Sequence, residues 1–207
     1  MLFLLLPFFI LVVVLFSPDM DKSHLSSCRS VIIILSHVIF SVGYAAGNWF
    51  NDQGGGSNYL CLPESPEWGR TIDGVQGGGS YIHGVEYEMQ EAHSPFLTTN
   101  NGDIQLLNLN APCSLCQVTG RSTQIMIPAR RTCPAGWYLQ YRGYLVTSHR
   151  SHRKQDYICL DEAPEAIHGS HRNDEGALFY QVEAVCGSLS CPPYVNGGEI
   201  ACIVCVR

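Results

Sequence analysis

Two Cys-x-x-Cys motifs are the residues of this chain most suited to chemistry, at Cys113/Cys116 and at Cys202/Cys205. Thiols at this spacing serve three purposes: thiol–disulfide exchange, tetrahedral zinc binding and structural cross-linking. Exchange needs its first thiol at a helix N-terminus, which lowers the thiol pKa, but the second motif lies in a strand-like segment with no helix after it. Zinc binding by both motifs together has usable spacing. Ten cysteines is an even number, however, and favours bridges formed in an oxidising compartment over zinc or free thiols.

Strand geometry limits the partner of each cysteine. Residues i and i+3 of a strand face opposite sides, so the two cysteines of one motif need different partners. We expect the second motif to bond separately to Cys133 and Cys159, in an order that the residues leave open. The first motif is expected to use Cys61, with Cys28 as the candidate for its other partner. One further pair brackets only four residues and is expected to form a local bridge: Cys186 and Cys191.

Short strands must position these cysteines, and the sequence predicts an all-β fold. Glycine and proline clusters punctuate the chain at 54–56, 77–79, 192–193 and 197–198. The segments between them are rich in β-branched and aromatic residues, and no window shows a sustained 3.6-residue apolar period. The predicted strands are 81–87, 124–127, 138–146, 157–160, 178–185 and 199–206.

Landmarks recur in the same order in two parts of the chain, which predicts an internal duplication. Gly43-Tyr44 recurs as Gly143-Tyr144, the Tyr-x-Cys-Leu motif at Cys61 recurs at Cys159, and a Cys-x-x-Cys motif follows each. Repeats of fewer than about 90 residues have small hydrophobic cores and benefit from covalent cross-links. We therefore expect two tandem disulfide-braced β subdomains. They are a first cysteine-rich repeat, 43–120, called the first half below, and a second, 121–207, called the second half.

The apolar region over residues 1–42 has two interpretations. Residues 2–16 are apolar apart from Pro7, too short for a bilayer span and suited to the core of a signal peptide. A second apolar run, 31–46, suits a signal anchor or the opening strand of the first half. We expect a secreted, extracellular protein, with a membrane tether through the N-terminal runs as the alternative.

Seven motifs together resemble one family. They are GGGSNYLCLP (54–63), YIHGVEY (81–87), PCSLC (112–116), IPAR (127–130), TCPAGW (132–137), YICLD (157–161) and CGSLSCPPY (186–194). They resemble the C-terminal non-collagenous domain of sponge short-chain (spongin-type) collagens, also found in other secreted invertebrate proteins and distantly like the C-terminal domain of type IV collagen. The resemblance spans roughly 43–207. It implies an extracellular location, a β-rich fold and a role in matrix assembly or adhesion.

The chain departs from that family in two respects. It has no Gly-x-y repeat, so it cannot form a collagen triple helix of its own. The stretch Arg131-Thr132-Cys133-Pro134 lacks a counterpart in the first half, where Ser26-Ser27-Cys28-Arg29 and an Ile/Val-rich run stand instead. Divergence and an error in the assigned coding sequence both explain this replacement. Either leaves the normal partner of one cysteine of the first half in question.

Charge is unevenly distributed along the chain. Residues 64–103 carry seven acids against Arg70 alone, whereas residues 121–154 carry seven cations and no acid. One interpretation is two solvated faces that complement each other where the halves pack. The other is an anionic-ligand site for sulfated glycans or acidic matrix proteins, strengthened by histidine protonation below about pH 6.5. The candidate residues are Arg142, His149, Arg150, His152, Arg153 and Lys154.

Catalytic motifs are missing from the sequence, including a nucleophile elbow, a His-Glu-x-x-His motif and a phosphate-binding glycine loop. We therefore expect no enzyme, no cofactor and no metal site, and the net charge of −6 gives no general attraction to nucleic acid. Two functions remain open. The first is a structural or adhesion module that self-associates or binds an extracellular matrix protein. The alternative is a secreted recognition protein that binds sulfated or acidic glycans through its basic surface.

Overall fold

The computed structural model describes residues 12–14, 37–89, 94–96 and 106–207, with the backbone alone at 12–14 and 37–40. Every regular element among them is a β-strand, which confirms the all-β prediction. Most of the apolar region predicted as signal peptide or anchor lies outside the described residues. The strands are β1 (Val12–Val14), β2 (His37–Gly47), β3 (Leu60–Pro63), β4 (His83–Tyr87), β5 (Pro112–Val118), β6 (Gln124–Pro128), β7 (Tyr138–Thr147), β8 (Ile158–Asp161), β9 (Ala177–Gln181) and β10 (Ala201–Val206).

One hydrogen-bonded path connects most of these strands, in the order β1-β5-β2-β4-β9-β7-β10-β6. Beside it, β3 pairs with β2 and β8 pairs with β7. The pairings are antiparallel except at the centre, where β4 and β9 run parallel with Val85 opposite Ala177. Because β4 belongs to the first half and β9 to the second, the two halves join at this parallel pair.

Both halves use the same strand register. Matched pairs are Tyr44 with Leu62 and Tyr144 with Leu160, Gly43 with Cys113 and Gly143 with Cys202, and Ile39 with Cys116 and Leu139 with Cys205. In each central strand the register also skips one residue at the same place, Phe40 in β2 and Gln140 in β7. These pairings fall at the same offsets as the sequence landmarks. The register is the one that an internal duplication would produce, and the duplication itself stays a prediction.

A steric requirement explains the recurring glycine of the central strands. A Cβ atom on Gly43 would overlap the carbonyl oxygen of Leu62, and one on Gly143 would overlap that of Leu160. The neighbouring strand therefore approaches each central strand too closely for any side chain at this position.

The main hydrophobic core takes side chains from both halves. Tyr59, Val85 and Tyr87 of the first half pack in one cluster with Leu160 and Phe179 of the second. The ring centroids of Tyr59 and Phe179 lie 4.8 Å apart, in an edge-on arrangement. A smaller cluster belongs to the second half alone and consists of Leu145, Cys159, Cys202 and Val204. Because the larger cluster is shared, each half stabilises the other.

Candidate interaction surfaces

Disulfide bridges cross-link the paired strands that carry the surface loops, and these strands with their bridges are called the frame below. The bridges are Cys61–Cys113, Cys133–Cys205, Cys159–Cys202 and Cys186–Cys191. Cys202 and Cys205 therefore bond to different partners, and Cys61–Cys113 and Cys159–Cys202 occupy matched positions in the two halves. Cys116 is also disulfide-bonded, and no cysteine in the described part of the chain is free. The candidate partner Cys28 lies outside that part.

The covering loop, residues 162–176 between β8 and β9, packs against the first half. The Tyr87 hydroxyl donates a hydrogen bond to the Glu165 carbonyl at 2.7 Å. Two further hydrogen bonds join the loop to Asn110: its N–H donates to Ser170 Oγ at 2.9 Å, and its carbonyl accepts from the Ile167 N–H at 3.0 Å. Ala166 is buried in the shared core. These contacts make the covering loop part of the fold.

Glu86 anchors the end of the covering loop. Its carboxylate is buried and accepts hydrogen bonds from the backbone N–H groups of Asp174 at 3.0 Å and Glu175 at 3.2 Å. Burial raises the pKa of Glu86 above its ordinary value, although these two bonds oppose the change. Sequence reasoning placed Glu86 among solvated acids. Its apolar neighbours Val85 and Tyr87, in a predicted strand, were the signal that this segment is buried.

The apolar loop, residues 64–82 between β3 and β4, occupies the matching place in the first half but lies in solvent. Trp68, Ile72 and Val75 are 77%, 72% and 84% exposed. The hydrogen bonds between residues 65 and 82 are local, such as that from the Tyr81 hydroxyl to the Gln76 carbonyl at 2.9 Å. The frame therefore presents three large apolar side chains on a loop that contributes nothing to the core.

The basic loop, residues 148–157 between β7 and β8, is held by hydrogen bonds at both ends. Ser148 Oγ donates to the Arg153 carbonyl at 2.7 Å, and the Arg153 N–H donates to the Phe50 carbonyl at 2.9 Å. The Asp156 N–H donates to the Ser57 carbonyl at 2.7 Å. The loop is therefore attached to residues 48–59, the equivalent loop of the first half.

His152 fills the junction between these two loops. Its ring centroid lies 4.6 Å from that of Phe50, 5.3 Å from His149 and 5.6 Å from Tyr180. Burial, and then the nearby His149, lower the pKa of His152, while Glu175 opposes them. Burial, with Glu88 and Glu175 close by, raises the pKa of Tyr180 to about 12. The lowered pKa of His152 and the raised pKa of Tyr180 both favour the uncharged form of the side chain near neutral pH.

The predicted anionic-ligand residues divide into two groups. Arg150, Arg153 and Lys154 are exposed in the basic loop, and His149 and His152 are partly buried beside them. Arg142 is the candidate that lies outside the basic loop. It lies in β7, about 16 Å from the end of that strand by the usual rise per residue, and its Nε is 3.9 Å from Glu162 Oε1.

Ion pairs do not connect the acidic and basic stretches of the described chain. The ion pairs there include Arg131–Glu162, Arg142–Glu162 and Arg172–Asp174. The interpretation that the acidic and basic stretches pack against each other as complementary faces is therefore not supported by an ion pair between described residues. Among the described residues, no three His, Cys, Asp or Glu side chains lie close enough together to hold a metal ion. A helix long and apolar enough to cross a membrane is likewise not found in the described ranges.

Comparison of the chain with models of protein families gives no match, and no curated protein matches it. The apolar loop and the basic loop are therefore the features from which its function is inferred.

Proposed function

We propose that this chain is an extracellular, non-enzymatic structural module of the short-chain collagen type that assembles by self-association. Four bridges within the described residues support the compartment, because structural disulfides form and persist in oxidising environments. The resemblance of its motifs to spongin-type domains supports a role in the matrix. The observation that carries the proposal is the solvent-exposed apolar loop.

Large exposed apolar patches on folded proteins mark interaction sites. Trp68 stands at the same offset from Ala166 as Cys61 does from Cys159, yet Ala166 is buried and Trp68 is exposed. The covering loop thus shows where a loop in this position finds its apolar contacts: on the other half of the frame. The apolar loop makes no such contact with the other residues that the structure describes.

The second half offers a surface at the corresponding position. The hydrogen bond from the Tyr87 N–H to the Leu109 carbonyl is matched there by one from the Ala184 N–H to the Gly198 carbonyl. No loop covers this part of the second half among the described residues, where Val185 and Val195 are 73% and 71% exposed. The apolar loop of a second copy is the occupant that we assign to it.

The energetics favour reciprocal contacts. Full burial of three large apolar side chains contributes roughly 5–8 kcal/mol. Association costs at least about 4 kcal/mol, and by some estimates more than 15 kcal/mol. A single loop contact is therefore marginal, and a lasting assembly needs the loop of each copy to be buried. We expect a concentration-dependent dimer or closed ring.

Sedimentation equilibrium of the secreted protein tests this proposal. The wild type should associate with increasing concentration. The triple variant Trp68→Ser/Ile72→Ser/Val75→Ser should remain monomeric, and Val195→Lys should also lose association because it places a charge on the opposing apolar surface. Both variants should keep the wild-type melting temperature, because every replaced side chain is exposed.

A matched control is Tyr157→Ser, which removes an exposed aromatic ring from the basic loop. It should associate as the wild type does. A wild type that stays monomeric up to roughly millimolar concentration, or a loop triple variant that associates normally, would contradict the proposed self-association.

A further inference from the structure

We propose that the basic loop is a binding site for sulfated glycans, with Arg150, Arg153 and Lys154 as the ligand-contacting residues. This goes beyond self-association, because the site lies on a different loop from the one that carries the proposed assembly contact. The occupant is a linear polyanion with repeated sulfate groups.

The fold itself makes little use of these three cations. The basic loop is attached through backbone groups, such as the Arg153 N–H and carbonyl, and through the ring of His152. Arg150, Arg153 and Lys154 are exposed, and none of them forms an ion pair in the described structure. Their charged groups therefore remain available to a ligand.

The equivalent loop of the first half shows that cations are not required at this position. Residues 48–59 contain no Lys or Arg and only one charged residue, Asp52. That loop nevertheless follows a strand with the same register and leads into a matched hairpin strand. The three cations are therefore a property of the second half alone, which is expected of a ligand site and not of a structural element.

The backbone of the basic loop is also preorganised for ligand binding. A hydrogen bond from the His152 N–H to the His149 carbonyl at 2.8 Å closes a turn within the loop. His149 Nδ1 and Ser151 Oγ lie 2.7 Å apart and share a second bond. Because the backbone is already fixed, binding a ligand orders side chains only, which lowers its entropic cost.

Sulfate chemistry fits these residues. Arginine guanidinium groups present planar pairs of N–H donors to oxyanions, while lysine supplies a point charge. Nearby acids limit the site: Asp156, hydrogen-bonded to Ser57, and Glu175 beside His152. Sulfate groups arrayed along one chain contact all three cations at once and offset these acids better than a single anionic group does, so we assign the site to a sulfated glycan.

Titration calorimetry with a size-defined heparin fragment at about 0.15 M salt tests the assignment. The variant Arg150→Gln/Arg153→Gln/Lys154→Gln should bind the fragment about 50-fold more weakly than the wild type, since three cation contacts are lost. Its salt dependence should also become shallower. Its association in sedimentation equilibrium should not change, so that this result and the self-association result can be told apart.

The matched control changes three exposed arginines elsewhere, Arg130→Gln/Arg172→Gln/Arg207→Gln, and should bind within about twofold of the wild type. Equal weakening in both triple variants would mean a general charge effect and would overturn the site. Equal affinity for polyglutamate or for desulfated heparin would overturn the assignment to sulfated glycans. Undetectable binding of the heparin fragment by the wild type would do the same.

Discussion

The two halves of the chain share the same strand pairing and differ in how one pair of equivalent loops packs. In the first half β2 pairs with β3 and β5, and in the second half β7 pairs with β8 and β10 in the same register. A disulfide connects β3 with β5 and another connects β8 with β10. The covering loop of the second half then packs into the shared core, while the apolar loop of the first half remains in solvent. Equal backbone pairing therefore does not determine where a connecting loop packs.

A few side chains account for this difference. Glu86 and Glu183 occupy matched positions, each in an isolated bridge to a matched residue, Asn110 and Glu199. Glu86 is buried and accepts two hydrogen bonds from the covering loop, whereas the Glu183 side chain is exposed and has no hydrogen bond to another described residue. The two halves thus have matching strands but differently packed loops, one buried in the shared core and one exposed.

Paired removal of the matched bridges should have the largest effect. Cys61→Ala/Cys113→Ala and Cys159→Ala/Cys202→Ala open loops of 52 and 43 residues, and each should cost about 4 kcal/mol in the free energy of unfolding. Secretion yield and denaturant unfolding measure this. The Cys186→Ala/Cys191→Ala control spans five residues and should cost about 2 kcal/mol. Unequal losses in the two matched pairs would break the equivalence of the halves.

Alanine at the two central glycines should be nearly as damaging. Gly43→Ala and Gly143→Ala each place a methyl group against a backbone carbonyl, which has little room to move, so we expect a loss of about 3 kcal/mol or more. Thermal unfolding measures the loss. Gly54→Ala, where an added Cβ meets nothing, should change stability by less than about 0.5 kcal/mol. A tolerated alanine in one half only would show that the two hairpins differ in their spacing.

Substitution of the two matched glutamates should change the free energy of unfolding by different amounts. Glu86→Ala removes the acceptor of two backbone hydrogen bonds and should cost about 2 kcal/mol, while Glu183→Ala should be almost neutral. Limited proteolysis should then cut the covering loop of the Glu86 variant first. Equal stability of the two variants would mean that the covering loop is held without its anchor.

The smallest effect concerns pH at the junction of the two loops. Because the folded pKa of His152 is lowered, the unfolded chain takes up the proton first as the pH falls. The stability contributed by the neutral ring is therefore complete above about pH 6.5 and is lost as the pH falls through that value toward the lower folded pKa.

His152→Phe keeps a ring between Phe50 and Tyr180 without a proton to bind. Between pH 7 and pH 5, its melting temperature should fall less than that of the wild type, by about one or two degrees. The facing groups His149, Glu175 and Tyr180 are the same in both proteins, so the difference isolates His152. Parallel pH curves would show that this ring does not titrate across the transition.

The sequence by itself determined the fold class and the set of bridged cysteines. These follow from local rules: glycine and proline clusters separate short β-rich segments, and side chains alternate along a strand, so residues i and i+3 face apart. The sequence also located the basic loop, since its cations are adjacent in the chain.

Only the tertiary structure decided the order of pairing, Cys133 with Cys205 and Cys159 with Cys202, because that order depends on which distant strands lie side by side. It also separated Arg142 from the basic loop, buried Glu86, and placed the covering loop, but not the apolar loop, against the opposite half. Each of these outcomes depends on contacts between residues far apart in sequence, where local pattern carries no information.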